Sequence, residues 1–389
     1  MEGKTQPIGV EMQNLFWAQV KPEQWHPTFK GLWQQRNPWN ECVLAEWASG
    51  FKDRDNKFVK EFQTTFNSSF WELYLFACLK HVGFTVDFSH ASPDFVVTKG
   101  DDTVCIEAVI ASHAEGETPE WDKVAKLKIG ETDQNQLLEA ALPRIANALA
   151  SKHKLYREKY SNLEHVKNKP FIIAVAPFDQ PFSYMETERP MRVALYQYDI
   201  PITKPIPSEN RRIIIGWESQ AFFKKPNGTK VDLGYFLDDR MKEVSAVIFS
   251  NIATWGKVRA LSADPNPNIL FGTKRLNLGG LKPHQKLVRK RDHQESLLDG
   301  LHIFVNPYAT NPLPPTMFNW PNVEYRSVDD DGFPTGEPRD GNIHWRLTRT
   351  YSPDTPEARL QEFMDKVNKY SEEELAKDLA QEAADSEPR

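Results

Sequence analysis

Residues 92–112 read SPDFVVTKGDDTVCIEAVIAS, and the fold turns on this stretch. Two runs rich in Val, Ile and Phe, 94–98 and 104–112, flank Lys99-Gly100-Asp101-Asp102. Aromatic and β-branched runs of this length read as strands, and the Gly-Asp turn between them as an antiparallel hairpin. Side chains alternate along a strand, so Cys105, Glu107, Val109 and Ala111 share one face, and Val104, Ile106, Ala108 and Ile110 the other. Both faces are apolar apart from Glu107, the pattern of a central strand covered on each side. Glu107 is thus a lone charge in a buried strand, and the hairpin brings Asp94 alongside it. Two carboxylates this close in a low dielectric repel unless a cation lies between them. Mg2+, or Mn2+ in its place, suits such a site because it needs few protein oxygens and keeps several waters.

Working outward, 60–81 lacks Gly and Pro and is closed by Gly83, which predicts a helix. Within its stretch Phe70–Leu79 (FWELYLFACL), Glu72 is the one charge, with Ser68, Ser69, Leu75 and Phe76 at helical spacing around it. It is either an interior Glu satisfied by a hydrogen bond or an Arg, or a carboxylate buried for a chemical purpose, because leaving it unpaired is costly. Phe84–Phe88 precedes the hairpin as a further short strand. Beyond it, 134–160 carries an apolar stripe at Leu138, Leu142, Ile145 and Leu149 that runs on to Tyr156, the mark of an amphipathic helix. Pro143 predicts a kink or restart in it. Lys152 stands in that stripe where a hydrophobe is expected. Either its stem lies along the core edge with the amine in water, or the amine is aimed at the sheet. Phe171–Ala176, Val244–Ser250 and Leu301–Val305 read as buried strands, the first two separated by a Pro-rich insertion at 178–243 with its own run Arg212–Trp217. This order of helices and strands predicts an α/β fold around one central mixed sheet flanked by helices. A Trp-rich helical cap is expected at 1–60, the main body at 61–320, and an extension ending in a charged helical tail at 321–389.

Composition sets the class. Hydrophobic residues at 40% and aromatics at 12% exclude a disordered chain, while three cysteines without paired spacing argue against a disulfide framework. With a polar N-terminus and no apolar run long enough to span a bilayer, a reducing, cytoplasmic setting is expected. No P-loop, GxGxxG or GxSxG elbow occurs. His284, His293 and His302 lack metal-ligand spacing, and His302 with Asn306 reads as a satisfied edge histidine on a strand face. The net charge of −6 hides a local excess: between Lys257 and Arg291 nine cations face a single acid, Asp264. Lys282, Lys286, Arg289, Lys290 and Arg291 form its densest part. Such a run is either a solvated face or a strip that neutralises phosphates.

Three elements together, Glu72 on a helix, Pro93-Asp94 at a strand and Glu107-Ala108-Val109 on its partner, resemble the PD-(D/E)xK nucleases over about residues 61–180. The resemblance implies a restriction-endonuclease-like fold and a metal-dependent endonuclease that hydrolyses DNA phosphodiester bonds. In it Asp94 and Glu107, with Glu72, hold the metal. A bacterial restriction or antiphage role, with a partner subunit, follows from where such nucleases occur. The chain departs from the pattern at the motif lysine, which is Val109. Relatives relocate this lysine, so Lys152 becomes the candidate to complete the catalytic set Glu72, Asp94, Glu107 and Lys152. The alternative implied by Val109 is an inactive module that binds nucleic acid or a partner protein.

Overall fold

A computed structural model describes residues 15–112, 134–178, 183–206, 211–225, 228–278, 283–314, 317–352 and 354–385. Helices α1 (Pro27–Gln34), α2 (Pro38–Ala48), α3 (Phe58–Thr64) and α4 (Phe66–His81) come first. The helix expected over 60–81 is two helices. Thr65 leaves helical geometry at φ −127° and ψ 49°, and its hydroxyl bonds back to the Glu61 carbonyl, a break that needs neither Gly nor Pro. Strands β1 (Thr85–Asp87), β2 (Phe95–Lys99) and β3 (Asp102–Ile110) then form an antiparallel meander. Gly100 makes the β2–β3 turn at φ 62°, the left-handed region that favours glycine.

Next come α5 (Gln134–Glu158) and β4 (Phe171–Ala176), which pairs parallel with β3. Pro143 lies inside α5 without ending it. The insertion supplies α6 (Arg189–Tyr196), a long hairpin of β5 (Tyr198–Ile206) and β6 (Arg211–Ser219), and a short one of β7 (Phe222–Lys224) and β8 (Lys230–Asp232). Then follow β9 (Ala246–Phe249), α7 (Trp255–Leu261), β10 (Ile269–Arg275), β11 (His284–Arg289) and β12 (His302–Val305). Strands β13 (Glu324–Val328), β14 (Pro334–Glu337) and β15 (Ile343–Thr350) and the helix α8 (Glu357–Asp385) complete the described chain.

The central sheet is mixed and eight-stranded, in the order β1-β2-β3-β4-β9-β12-β13-β14. Strands β13 and β14 therefore carry the body's sheet past residue 320, where only an extension was expected. Alternation along β4 separates two cores. Ile172, Ala174 and Ala176 face α2–α4, and Phe171, Ile173 and Val175 face α5 and α6. Trp71 in α4 donates to the Ala174 carbonyl at 3.0 Å, fixing the first helical layer, while Tyr156 of α5 packs on Phe171 with ring centroids 4.5 Å apart. The N-terminal cap joins the first core through Trp47, which packs on Phe70 and Tyr74. A second, three-stranded sheet, β11-β10-β15, was not expected from the sequence. No helix among the described residues is long and apolar enough to cross a membrane.

Candidate active site

The antiparallel register that pairs Phe95 with Ile106 sets Asp94, just before β2, opposite Glu107. Asp94 Oδ2 accepts a hydrogen bond from the Ala108 amide at 2.8 Å, which locks the carboxylate to the strand that carries Glu107. Glu107 shares its face with Cys105 and so points at α5. There its Oε1 accepts from Lys152 Nζ at 2.6 Å, while its Oε2 is buried without a hydrogen-bond partner. Lys152 thus does what its place in the stripe allows. The stem follows Leu138, Leu142, Ile145 and Leu149 down the buried face of α5, and the ammonium ends on the sheet's buried charge rather than in water.

Glu72 comes from α4, in the helical layer on the other side of the sheet. Burial pushes its carboxyl up to about 8, and the negative charge of Asp94 adds to this. Burial likewise lifts Asp94 to about 7, with Glu107 the largest charge contribution. The Ala108 amide, Lys152 and Arg54 pull Asp94 the other way without reversing the direction. The loop before Asp94 is tied at both ends of its turn. Arg54 donates to the His90 carbonyl, and His165 Nε2 lies 2.8 Å from the Ser92 carbonyl while its ring stacks on His90 at 3.6 Å.

The chain matches no family model, no curated protein and no solved structure. The site is therefore judged on its own geometry. Asp94, Glu107 and Lys152 are brought together, and Glu72 is near enough to the two acids that their negative charges raise its carboxyl. Among the described residues no group of three or more His, Cys, Asp or Glu side chains is arranged to hold a metal ion. What bears on a cation is narrower: the carboxylates of Asp94 and Glu107, the latter with an orphaned buried oxygen, and the crowding of acids that together with burial raises Asp94 to about 7 and Glu72 to about 8. Two such oxygen donors would suit only an ion that keeps most of its waters. Two members escaped the sequence reading. Tyr160 continues the Lys152–Tyr156 stripe by one more step of four, and burial together with Glu107 and Asp94 raises its phenol far above the usual range. Arg54 lies in an ordinary-looking loop and gave no signal.

The basic strip divides in two. Lys286 and Arg291 are exposed, as is Lys274, whereas Lys282 lies outside the described residues. Arg289 is buried, donating to the Pro267 and Glu357 carbonyls, and Lys290 bonds the Ala260 and Ser262 carbonyls. Lys257 is fully buried 2.5 Å from Glu295, which also pairs with Arg346 and His293. His302 is no edge residue. It sits fully buried on β12, between β9 and β13, with Nδ1 3.2 Å from Glu324. Asn306 is spent on the Met241 and Val244 carbonyls.

Proposed function

We propose that this protein is a metal-dependent nuclease acting on DNA phosphodiester bonds, with Asp94 and Glu107 as metal ligands and Lys152 in place of the motif lysine. The observation that carries the reading is the 2.6 Å ion pair between Lys152 and Glu107, one strand position from the amide that holds Asp94. A buried strand acid facing a Pro-Asp acid, with a lysine delivered to the same point by a helix, is the arrangement that the missing lysine at Val109 calls for. When bound, the metal would supply charge neutralisation at the phosphate and a water of lowered pKa. Asp94 and the free oxygen of Glu107 would hold it, with Glu72 behind Asp94 as a further acid. Lys152 orients Glu107 and places a positive charge where negative charge develops during phosphoryl transfer. Lys286 and Arg291, exposed on and just after β11, are available to grip a phosphate backbone, a contact that positions without reading sequence.

A second reading has its own observation. Lys152 already neutralises Glu107, so the pair balances its charge without a metal, as in a non-cleaving module that binds nucleic acid or a protein. Incubation with plasmid and RNA in Mg2+, Mn2+ or EDTA separates the two. The nuclease reading expects metal-dependent cutting of DNA that is lost in Asp94→Ala and Glu107→Ala. A wild-type protein that binds nucleic acid but never cuts supports the module.

A further inference from the structure

Between α8 and the sheet β11-β10-β15 lies a cavity of about 200 Å³, and none of its lining residues belongs to the site around Asp94. Strand alternation and register put Leu270 and Gly272 of β10, Leu287 of β11 and Leu347 of β15 on the face that α8 partly covers. Leu360 and Met364 of α8 pack on Leu270, and Asn368 bonds both backbone groups of Leu287, so the helix sits toward β11. The β15 side stays open, walled by Trp345 and Tyr351 of the sheet side and by Phe363 and Val367 of the helix. Phe363 is 42% exposed. A Cβ at Gly272 would meet the Trp345 ring at 3.4 Å, so the bare backbone there leaves room beside the indole. An apolar, aromatic-walled hollow with a few polar groups is the usual make-up of a small-molecule site, and this volume suits one ring system.

The polar groups lie at its two ends. Arg349, across from Leu270 on the cavity face, lines one end, and exposed Arg359 stands one helical turn before Phe363 on the same flank. Of the acids there, Glu357 lies 3.6 Å from buried Arg289, leaving exposed Asp354 in the turn before α8. Glu362 is further round the helix, four residues before Lys366, where opposite charges offset each other. Lys286 also lines the cavity but pairs with Thr273, so alternation turns its side chain to the other face. At the second end Gln285 donates to Ser371 Oγ at 3.2 Å, which leaves its amide carbonyl as an acceptor. Lys274 lies there 6.0 Å from the centre of the Trp345 ring, but past Ser371 the sequence runs on as Glu372-Glu373-Glu374. We propose that this cavity binds a free nucleotide, its base between Trp345 and Phe363 with an edge on Gln285, and its phosphate on Arg349 and Arg359. A guanidinium grips phosphate through two parallel hydrogen bonds. A nucleic-acid strand carries phosphate on both sides of every base, so a cationic first end and a mixed second end favour the free nucleotide. The proposal stands without the nuclease reading.

The test is calorimetric titration of the full chain in EDTA with the common nucleoside 5′-monophosphates, ribose 5-phosphate, octanoate and a single-stranded hexanucleotide. EDTA silences metal-dependent cleavage, so failure here and failure of the nuclease reading are told apart. At least one nucleotide is expected to bind one-to-one, with ribose 5-phosphate at least tenfold weaker. Arg349→Glu and Phe363→Ala alter exposed side chains, so each should keep the wild-type circular dichroism spectrum while raising the nucleotide Kd about tenfold or more. Absence of saturable nucleotide binding, or wild-type affinity in both variants, overturns the site. Ribose 5-phosphate or octanoate binding as tightly as any nucleotide overturns the base as the group recognised. A hexanucleotide that binds more tightly than every free nucleotide overturns the choice of a free nucleotide over a strand.

Discussion

Glu107 is held by a lysine on one oxygen and by nothing on the other, and this asymmetry governs what substitutions there should do. Methionine at 152 keeps the stem's volume but strands a buried carboxylate. Lys152→Met is therefore expected to cost roughly 1–3 kcal/mol of stability in urea titrations without metal. Adding Glu107→Gln should recover most of that loss, since no buried charge is left unpaired; an additive double mutant would deny the coupling. On the nuclease reading Lys152→Met also abolishes cleavage, and cutting at near the wild-type rate would remove Lys152 from the chemistry. The other two acids respond to pH. Asp94 at about 7 and Glu72 at about 8 keep their protons in the folded protein where the unfolded chain has released them. The folded state thus binds more protons from about pH 4 upward, and stability falls as pH rises through 7 to 8. Metal-free protein should lose on the order of a few kcal/mol between pH 5 and pH 8.5, and millimolar Mg2+ should offset the loss at the alkaline end. A melting temperature that is flat in pH and indifferent to Mg2+ would count against both the buried acids and the ion.

At the scale of elements, β11 shows how a charge run can conceal two roles. Its exposed cation Lys286 and the following Arg291 contrast with Arg289, whose guanidinium is buried against two backbone carbonyls. Reversing Lys286 and Arg291 to Glu should leave stability within about 0.5 kcal/mol of wild type and flatten the salt dependence of DNA binding by about one unit of slope per cation. Arg289→Met should instead destabilise by more than 2 kcal/mol, because it leaves those carbonyls without a donor. Equal effects from the two substitutions would merge the roles again. The same contrast explains what could be seen in the sequence. The β2–β3 hairpin, β4 and the α5 stripe were legible because each buries a continuous apolar face whose period is visible locally. The three-stranded sheet was not: β10 (ILFGTKR) ends in two adjacent cations and β11 (HQKLVR) opens polar, so neither shows a strand alternation, and nothing local shows that Lys257 and Arg289 find partners far along the chain. The break at Thr65 was missed for a related reason, since a threonine can end a helix through its own backbone geometry and leave no punctuating residue.

Across the whole molecule, the parts are bound by a buried charged cluster whose members come from distant stretches of the sequence. Glu324 on β13 is fully buried, 2.6 Å from Arg326 of its own strand, 3.0 Å from His344 on β15 and 3.2 Å from His302 on β12. Glu188, beside α6, joins the same cluster through His344 at 3.3 Å and Arg326 at 3.3 Å. The insertion, the central sheet and the three-stranded sheet therefore share one charged centre, with His344 between two carboxylates. Burial disfavours its charge, but Glu188 and Glu324 outweigh burial and raise His344 to about 10, while Glu324 itself is held well below the usual carboxylate range. The raised histidine contributes stability that is complete below the unfolded value near 6.5 and disappears as pH rises through 10. The depressed carboxylate contributes above about 4.5 and loses its contribution only in strong acid. The centre should accordingly be intact from weakly acidic to weakly alkaline pH. His344→Gln retains hydrogen bonding but removes the positive charge, and at pH 7 it is expected to cost about 3–5 kcal/mol, as when one partner leaves a buried pair. It should also remove much of the wild type's stability loss between pH 8 and 10.5, because the group that titrates there is gone. If wild type and His344→Gln lose stability in parallel over that range, His344 is not the charged centre joining the two sheets, and the carboxylates must be balanced by Arg326 and by Arg192, which lies 3.6 Å from Glu188.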